Sequence, residues 1–192
     1  MKRIILIIIL TFSFQSWIKA DDIRDFQIEG MSIGDSLLDY VSKDEINKQK
    51  KSSRNKSIMY SWINYYNEKI ETYDAVQIWW HKKDKKYQIA AMGGIIKFNN
   101  DINSCKIKMD SIANEIKNQI KFKSSKKETA DSSTDENGKV YMIVNYLENG
   151  DLINIQCYKF SESYKKKYNI IDSLKVMIVP KVFNDHYNEA NN

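Results

Sequence analysis

The sequence contains few of the residues from which metal sites and nucleophilic sites are built. Its 192 residues include two histidines, His81 and His186, and two cysteines. A zinc site needs three or four ligands at characteristic spacings, and no H-x-x-x-H or C-x-x-C pattern occurs. We therefore predict no metal ligand, no cofactor-binding residue and no catalytic residue.

Proline is also scarce, because Pro180 is the only one in the chain. Aromatic residues make up 12% of the sequence, and a disordered stalk would have few of them and more proline. Residues 21–192 are long enough to enclose one hydrophobic core. We therefore predict a single folded domain over that range.

The apolar run at the N-terminus is too short to cross a membrane as a helix. It spans residues 4–14, whereas a membrane-spanning helix needs roughly 20 apolar residues. Lys2 and Arg3 precede it, and Ala20 suits the position before a cleavage point. We predict that residues 1–20 are a signal peptide and that the protein is periplasmic or extracellular. The alternative is an uncleaved anchor, the one case in which we expect membrane contact.

The chain has little excess charge once that segment is removed. Lys2, Arg3 and Lys19 lie within it, so the count of Lys and Arg falls from 30 to 27 against 25 acids, and the formal charge from +5 to +2. Nucleic-acid binders usually carry a strong basic field. We predict no nucleic-acid partner, and we expect an envelope protein or a small ligand instead.

The clearest helix signal lies at about 101–122, where apolar residues recur every three or four positions. This stripe consists of Ile102, Cys105, Met109, Ile112, Ile116 and Ile120. Most charged side chains of the segment lie off the stripe. We therefore predict one long helix that packs on a face of a sheet.

Alternating or β-branched runs predict strands on both sides of that helix. The six candidate strands are 58–66, 73–80, 86–98, 140–147, 152–160 and 173–179. Asn149 and Gly150 suit a tight hairpin turn between two of them. The predicted fold is α+β, with an antiparallel sheet of about five to six strands.

Shorter elements are expected near both ends of the domain. Ser32 with Asp35, and then Ser42 with Glu45, have the spacing of helix caps and predict two short N-terminal helices. Pro180 suits the first turn of a C-terminal helix. The segment at about 123–139 is polar throughout, and it predicts a flexible loop.

The two cysteines are expected to meet. Cys157 shares a strand face with Ile153 and Ile155 by alternation, and Cys105 lies on the apolar helix stripe. If the helix covers that face, a Cys105–Cys157 disulfide can form, as is common in oxidising compartments. The alternative is two separate buried thiols.

Aromatic residues are concentrated in the first three candidate strands. The possible binding face consists of Tyr60, Trp62, Tyr65, Tyr73, Trp79, Trp80 and Tyr87. Exposed aromatics often mark binding surfaces, whereas the alternative is ordinary packing with one of the adjacent tryptophans in the core. Gly93 and Gly94 in the third strand predict a bulge or a close approach of another part of the chain rather than a phosphate loop.

A resemblance can be stated on residues 22–46, "DIRDFQIEGMSIGDSLLDYVSKDEI", with the later "YDAVQI" and "LKVMIVPKVFND". Together they resemble a group of small exported proteins from AT-rich marine bacteria, and this resemblance implies no activity. Residues 28–36 are also similar to the I-x-G-M-S-x-x-x-S opening of SmpA/BamE-like outer-membrane assembly lipoproteins, although the lipid-attachment cysteine is absent here. That likeness implies no function for this chain.

Three functions follow as hypotheses. The first is a non-catalytic binding or interaction module of the cell envelope, which predicts an exposed aromatic patch or groove near residues 60–90. The second is a small periplasmic hydrolase or transferase that uses carboxylates with a tyrosine or lysine. The third is an envelope structural protein tethered by its uncleaved N-terminal segment.

Overall fold

Seven strands of the described chain join into one antiparallel sheet. The structure is a computed structural model that describes residues 22–52 and 59–189; the predicted signal peptide, residues 1–20, lies outside them. The strands are β1 (Tyr60–Tyr65), β2 (Ala75–His81), β3 (Ile89–Lys97), β4 (Ser124–Asp131), β5 (Lys139–Tyr146), β6 (Leu152–Lys159) and β7 (Ser173–Val179). The α-helices are α1 (Lys43–Ser52), α2 (Ile102–Gln119), α3 (Glu162–Tyr168) and α4 (Lys181–Glu189).

The order of strands across the sheet is β1-β2-β3-β7-β6-β5-β4, so the last strand in sequence lies at the centre. All neighbouring pairs are antiparallel. The predicted α+β class, with an antiparallel sheet and a long helix on one face, is confirmed. The strand count is seven rather than the predicted five to six.

The extra strand is β4, and it corrects the prediction of a flexible loop at 123–139. The strand pairs with β5 along its whole length, from Ser124 opposite Tyr146 to Asp131 opposite Lys139. Its side chains are exposed on both faces except for a half-buried Glu128. An apolar period therefore cannot appear in its sequence, and the strand is defined by its backbone pairing with β5. Its charges also protect this sheet edge from further pairing.

The first N-terminal helix prediction is wrong, because a short 3₁₀ turn, Leu37–Asp39, stands where a helix was expected after Ser32. The backbone N–H of Leu37 donates to the carbonyl of Tyr87 (2.9 Å), and that of Gly34 donates to the carbonyl of Ile89 (2.9 Å). These bonds attach the segment to the start of β3 and leave its backbone unavailable for a helix.

The second cap prediction is confirmed. The hydroxyl of Ser42 accepts a hydrogen bond from the backbone N–H of Glu45 (3.2 Å), and α1 follows it. Ile46 on this helix is fully buried. The sheet edge at β1 is therefore covered by α1.

One face of the sheet, here called the covered face, carries most of the core. Its inward residues include Ile63, Ile78, Ile143, Ile155 and Val176. The helix α2 lies mainly over β6, with further contacts to β5 and β7, and residues from the N-terminal segment complete the same cluster.

The predicted disulfide lies under that helix. Cys105 on α2 is bonded to Cys157 on β6, with the two Cα atoms 6.0 Å apart. Both side chains are fully buried among the aliphatic residues of the covered face. The bond therefore joins the long helix to the sheet at the centre of their contact.

The predicted close approach at Gly94 couples two distant segments. A Cβ at this position would overlap the ring of Tyr73. The backbone N–H of Tyr73 in turn donates to Oε1 of Glu29 (3.1 Å), and the same oxygen accepts from the N–H of Thr72 (2.8 Å). The glutamate of the N-terminal segment thus holds the turn that places this ring on β3.

No helix in the ranges 22–52 and 59–189 has both the length and the apolar content required to cross a bilayer.

Candidate functional site

The second face of the sheet forms a broad groove. We define the groove by the outward-facing residues at its centre, Trp62, Gln77, Trp79, Met142, Gln156 and Lys175. It encloses about 1340 Å³ and reaches from α1 at one sheet edge to the segment after β4 at the other. The helices α3 and α4 follow neighbouring antiparallel strands, so they lie at opposite ends of those strands. They close the two ends and leave the middle open.

The end of the groove next to α4 is apolar. Phe183 on this helix packs on Tyr60, with ring centroids 4.5 Å apart, and on Trp79 at 6.1 Å. The apolar end consists of Tyr60, Ala91, Val144, Leu152, Met177, Val179 and Phe183. The hydroxyl of Tyr60 lies 3.1 Å from Nδ1 of His186, so α4 is tied to β1 by a polar contact as well.

The centre of the groove is polar. Lys175, on the central strand β7, donates from Nζ to Oε1 of Gln77 on β2 (2.9 Å). Gln77 in turn donates from Nε2 to Oδ1 of Asn64 on β1 (3.0 Å). A chain of three polar side chains therefore crosses the floor of the groove from β7 to β1.

This chain depends on a glycine. Strand β3 lies between β7 and β2, and it presents Gly93 at this point. A Cβ on Gly93 would lie 2.5 Å from Sδ of Met177 and 3.4 Å from Cγ of Lys175. The missing side chain lets residues of β7 lie across β3, which is how Lys175 reaches Gln77.

The charge of Lys175 has no carboxylate partner within the described part of the chain. Its nearest other groups are two aromatic rings, Tyr158 at 5.3 Å and Trp79 at 5.9 Å from Nζ to the ring centroid. The side chain is half-buried, and burial lowers the pKa of Lys175 to about 8. Removing a charge from water without pairing it is unfavourable.

Two neighbours on β6 extend the polar centre. The hydroxyl of Tyr158 donates to Oε1 of Gln156 (2.6 Å), and burial raises the pKa of Tyr158 to about 12. Tyr158 is therefore a neutral hydrogen-bond donor at ordinary pH. Oδ1 of Asn154 is buried on the same strand face, and no residue of the described ranges donates a hydrogen bond to it.

The end next to α3 is an aromatic row of four rings. Tyr158 stacks on Phe160 (5.8 Å between centroids), Phe160 on Tyr164 (5.6 Å), and Tyr164 meets Tyr168 edge-on (4.4 Å). The row continues from β6 into α3. It gives this end an aromatic wall, whereas the opposite end combines aliphatic side chains with the rings of Tyr60 and Phe183.

The helix α3 is fixed to the sheet by a buried ion pair. Nζ of Lys165 lies 3.1 Å from Oδ1 of Asp172, and that oxygen also accepts from the backbone N–H of Phe160 (2.9 Å). Burial alone would lower the pKa of Lys165, but the hydrogen bonds to Asp172 and Glu162 outweigh it and raise the pKa. The aromatic row is therefore held by a charged side chain that is paired, unlike Lys175.

The seven aromatics of the predicted binding face divide between the two sides of the sheet. Tyr60, Trp62 and Trp79 face the groove. The other four pack against the core of the covered face, namely Tyr65, Tyr73, Trp80 and Tyr87. Neighbours on a strand point in opposite directions, so Trp80 is buried while Trp79 lines the groove. The predicted set therefore does not form one surface.

Sequence reasoning missed Lys175, Gln77 and the polar residues of β6. One signal was available, because Asn154 and Gln156 alternate with the isoleucines of "LINIQCY" and face away from them. A lysine inside the apolar strand "SLKVMIV" is a second signal. The contact between Lys175 and Gln77, which are 98 positions apart, leaves no local pattern in the sequence.

Residues 30–34, "GMSIG", have the G-x-S-x-G spacing of a hydrolase nucleophile elbow, although no such elbow was predicted. Such an elbow joins a strand to a helix. Here Ser32 lies in a loop before a 3₁₀ turn. The two histidines make other contacts: His186 pairs with Tyr60, and Nδ1 of His81 accepts from the N–H of Lys83 (3.2 Å). The segment therefore lacks the surroundings of a nucleophile.

The carboxylates that line the groove stand far apart. Glu45 lies on α1 beside the β1 edge, and Asp131 ends β4 at the opposite edge. Six strand-to-strand steps of about 4.8 Å separate these edges by roughly 29 Å. The described residues also contain no cluster of three or more His, Cys, Asp or Glu side chains that could bind a metal ion.

Comparison with protein-family models, with curated proteins and with solved structures finds no match to this chain.

Proposed function

We propose that this protein is an exported, non-catalytic binding module that holds a small ligand in the groove. The observation that carries the proposal is the groove on the second face of the sheet, whose middle α3 and α4 leave open. It combines an apolar end, an aromatic end and a few polar groups between them. Ligand sites in proteins usually have this composition, with an apolar lining and few polar groups that orient the ligand.

The size of the groove favours a small molecule. Typical ligand pockets enclose about 300 to 1,000 Å³, and this groove offers about 1340 Å³ while both of its ends are closed by helices. The helices α3 and α4 stand at the two ends of the floor. The ligand would lie along the strands between them.

Export is supported by two independent observations. The sequence of residues 1–20 has the basic start, the short apolar run and the small final residue of a signal peptide. The Cys105–Cys157 disulfide fits an oxidising compartment outside the cytoplasm. N-terminal sequencing of the exported protein tests this part, since cleavage after Ala20 gives a chain that begins at Asp21. A chain that begins at Met1 would instead support the tethered alternative.

The alternative of carboxylate chemistry gains little from the geometry. A hydrolase or transferase of that kind needs two ionisable groups that converge on one substrate atom. Glu45 and Asp131 lie at opposite edges of the sheet, and Lys175 at the centre of the groove has amide and aromatic neighbours. Binding is therefore the function that these side chains favour.

A neutral fluorescent probe tests the binding function. We expect Nile red to bind the exported protein at one saturable site, because the half-buried side chains of Trp62, Trp79 and Met142 line the open middle of the groove. Trp79→Ala removes one of the two half-buried indole rings of the groove, and we expect it to weaken binding at least fivefold. Ile107→Ala is the control, since Ile107 is 71% exposed on α2, on the other side of the sheet. Equal binding by the wild type and Trp79→Ala, or no saturable binding, would contradict the proposal.

A further inference from the structure

We infer that the ligand of the groove is an amphipathic anion, with its single negative group at Lys175 and its apolar body at the α4 end. This inference rests on the proposed binding function and names the chemical class of the ligand. It commits to a small molecule with one carboxylate and an extended apolar chain. A long-chain fatty acid has this chemistry.

The first step of the argument is the isolated charge. Of the other half-buried lysines in the described part of the chain, Lys165 is compensated by Asp172, and Lys106 lies over the ring of Tyr141 on the covered face, outside the groove. Lys175 instead meets an amide oxygen and two ring faces. An ammonium group whose partners are all neutral can still form a charge-assisted hydrogen bond with an anion. The attraction is strongest when the anion also leaves water for the groove, where the dielectric constant is lower.

The second step is the number and kind of polar groups. One lysine at the centre matches one negative charge, whereas a phosphate or nucleotide site usually supplies several cations or a series of backbone N–H groups. Gln156 lies opposite the lysine on the neighbouring strand β6, and Gln77 on β2 contacts its Nζ across β3. Their amides can orient a planar carboxylate beside the ammonium group.

The third step is the distance from the lysine to the apolar end. Met177 and Val179 follow Lys175 on the same face of β7, so the apolar floor begins at the next outward position. Four residues of strand span about 13 Å, the length of an extended chain of about ten methylene groups. Phe183 closes the end of this path from above.

Protonation of the lysine gives the inference a second readout. The titratable groups that line the groove with Lys175 are six tyrosines and two carboxylates, one carboxylate at each sheet edge; they are Tyr66, Tyr146, Tyr158, Tyr164, Tyr168, Tyr187, Glu45 and Asp131. Tyr158, the ring nearest to Nζ among these, stays neutral because burial raises its pKa to about 12. Loss of the charge on Lys175, whose pKa is lowered to about 8, is therefore the change expected to weaken anion binding between pH 7 and pH 10.

The experiment compares dodecanoate with 1-dodecanol, both below their aggregation limits, by calorimetric titration of the exported protein at pH 7. We expect dodecanoate to bind at least tenfold more tightly than the alcohol. Lys175→Met should reduce dodecanoate to the affinity of the alcohol while it leaves the alcohol unchanged, and Lys175→Gln should do the same. The control is Lys159→Met, because Lys159 is exposed at the end of β6 on the opposite strand face.

The outcomes separate this inference from the proposed function. Equal binding of dodecanoate and dodecanol, or dodecanoate binding that Lys175→Met leaves intact, overturns the anion inference while binding in the groove stands. No saturable binding of Nile red, dodecanol or dodecanoate overturns both. Both proposals are also overturned if the chain sediments as a dimer and binds neither Nile red nor dodecanoate. A second copy of the chain would then occupy the groove. Tighter binding of dodecanoate at pH 7 than at pH 10, lost in Lys175→Met, supports the inference.

Discussion

The two faces of one sheet in this protein differ in what their side chains can do. The covered face is aliphatic, is enclosed by α2 and the N-terminal segment, and holds the disulfide. The groove face alternates with it along the same strands, yet it places a lysine and several amides beside half-buried rings. Because a packed face supplies most of the stability of such a sheet, the opposite face is left to carry groups that packing alone would not favour.

The largest expected difference between the faces comes from the disulfide. Replacing both cysteines, Cys105→Ala with Cys157→Ala, should lower the free energy of unfolding by about 4 kcal/mol, because the bond closes a loop of 52 residues whose entropy the unfolded chain regains. Urea unfolding measures this change. We expect the folded fraction of the variant to bind Nile red as the wild type does, since the bond lies on the far side of the sheet. A loss below about 1 kcal/mol would show that the packing of α2 holds without the bond.

A matched pair of methionines compares the faces with one substitution. Met109 on α2 is fully buried under the covered face, whereas Met142 on β5 is half-buried in the groove. We expect Met109→Ala to lower the free energy of unfolding by about 3 kcal/mol and Met142→Ala by about 1 kcal/mol, since the cost follows the cavity that is left. Equal losses in urea unfolding would mean that the groove face is packed as tightly as the core.

The division between the faces also explains how much the sequence could predict. The sequence predicted three features that have a buried apolar side: the helix α2, the strands of the hairpin at Gly150, and the cysteine pair. Burial of one side makes apolar residues recur with a period of 3.6 in a helix and of 2 in a strand. Strand β4 has no buried face and therefore no period. Its only structural signal is the backbone pairing with β5, which a sequence does not display.

The groove could be predicted only in part for a related reason. Alternation shows that Trp79 and Trp80 point to opposite sides, but it does not show which side is covered by a helix. That depends on where α2 and the N-terminal segment pack. The meeting of Lys175 with Gln77 depends further on the strand order, which places β7 between β3 and β6, and on the absent side chain of Gly93.

The adjacent glycines of β3 provide a smaller comparison. Gly94→Ala would drive a methyl group into the Tyr73 ring on the covered face, and we expect a loss of about 2 to 3 kcal/mol from overpacking. Gly93→Ala points into the groove and meets Sδ of Met177 at 2.5 Å and the carbonyl of Val176 at 3.0 Å. The methionine end can move, so we expect a loss of about 1 kcal/mol.

Two further observations check these glycine variants. Gly94→Ala combined with Tyr73→Ala should lose less in urea unfolding than the two single losses together, because the second change makes room for the first. Gly93→Ala should also disturb the contact that Lys175 makes with Gln77 across β3. A lower affinity for dodecanoate would be the sign of this change. If Gly93→Ala lowers the free energy of unfolding more than Gly94→Ala does, the covered face is not the more tightly packed of the two faces.

The smallest expected effect is the dependence of stability on pH that Lys175 produces. A lysine in the unfolded chain has a pKa of about 10.4, whereas burial lowers the pKa of Lys175 in the folded protein to about 8. Between these values the unfolded chain binds more protons at this site than the folded protein, so the free energy of unfolding rises as the pH rises from about 8 to about 10. Below pH 8 both states are protonated, and the full destabilising contribution of the buried charge remains.

Comparison with Lys175→Met isolates this contribution from that of other lysines. We expect the variant to be more stable than the wild type at pH 7 by about 1 to 2 kcal/mol, less than the full pKa difference implies because the side chain keeps some contact with water. The difference should shrink toward pH 10, as measured by urea unfolding at both pH values. If the variant gains stability and loses dodecanoate binding, the charge of Lys175 lowers the free energy of unfolding but contributes to ligand binding. Such a trade-off between stability and function is typical of binding-site residues. A variant that is less stable than the wild type at pH 7 would place Lys175 among the residues that hold the sheet together, as the covered face does.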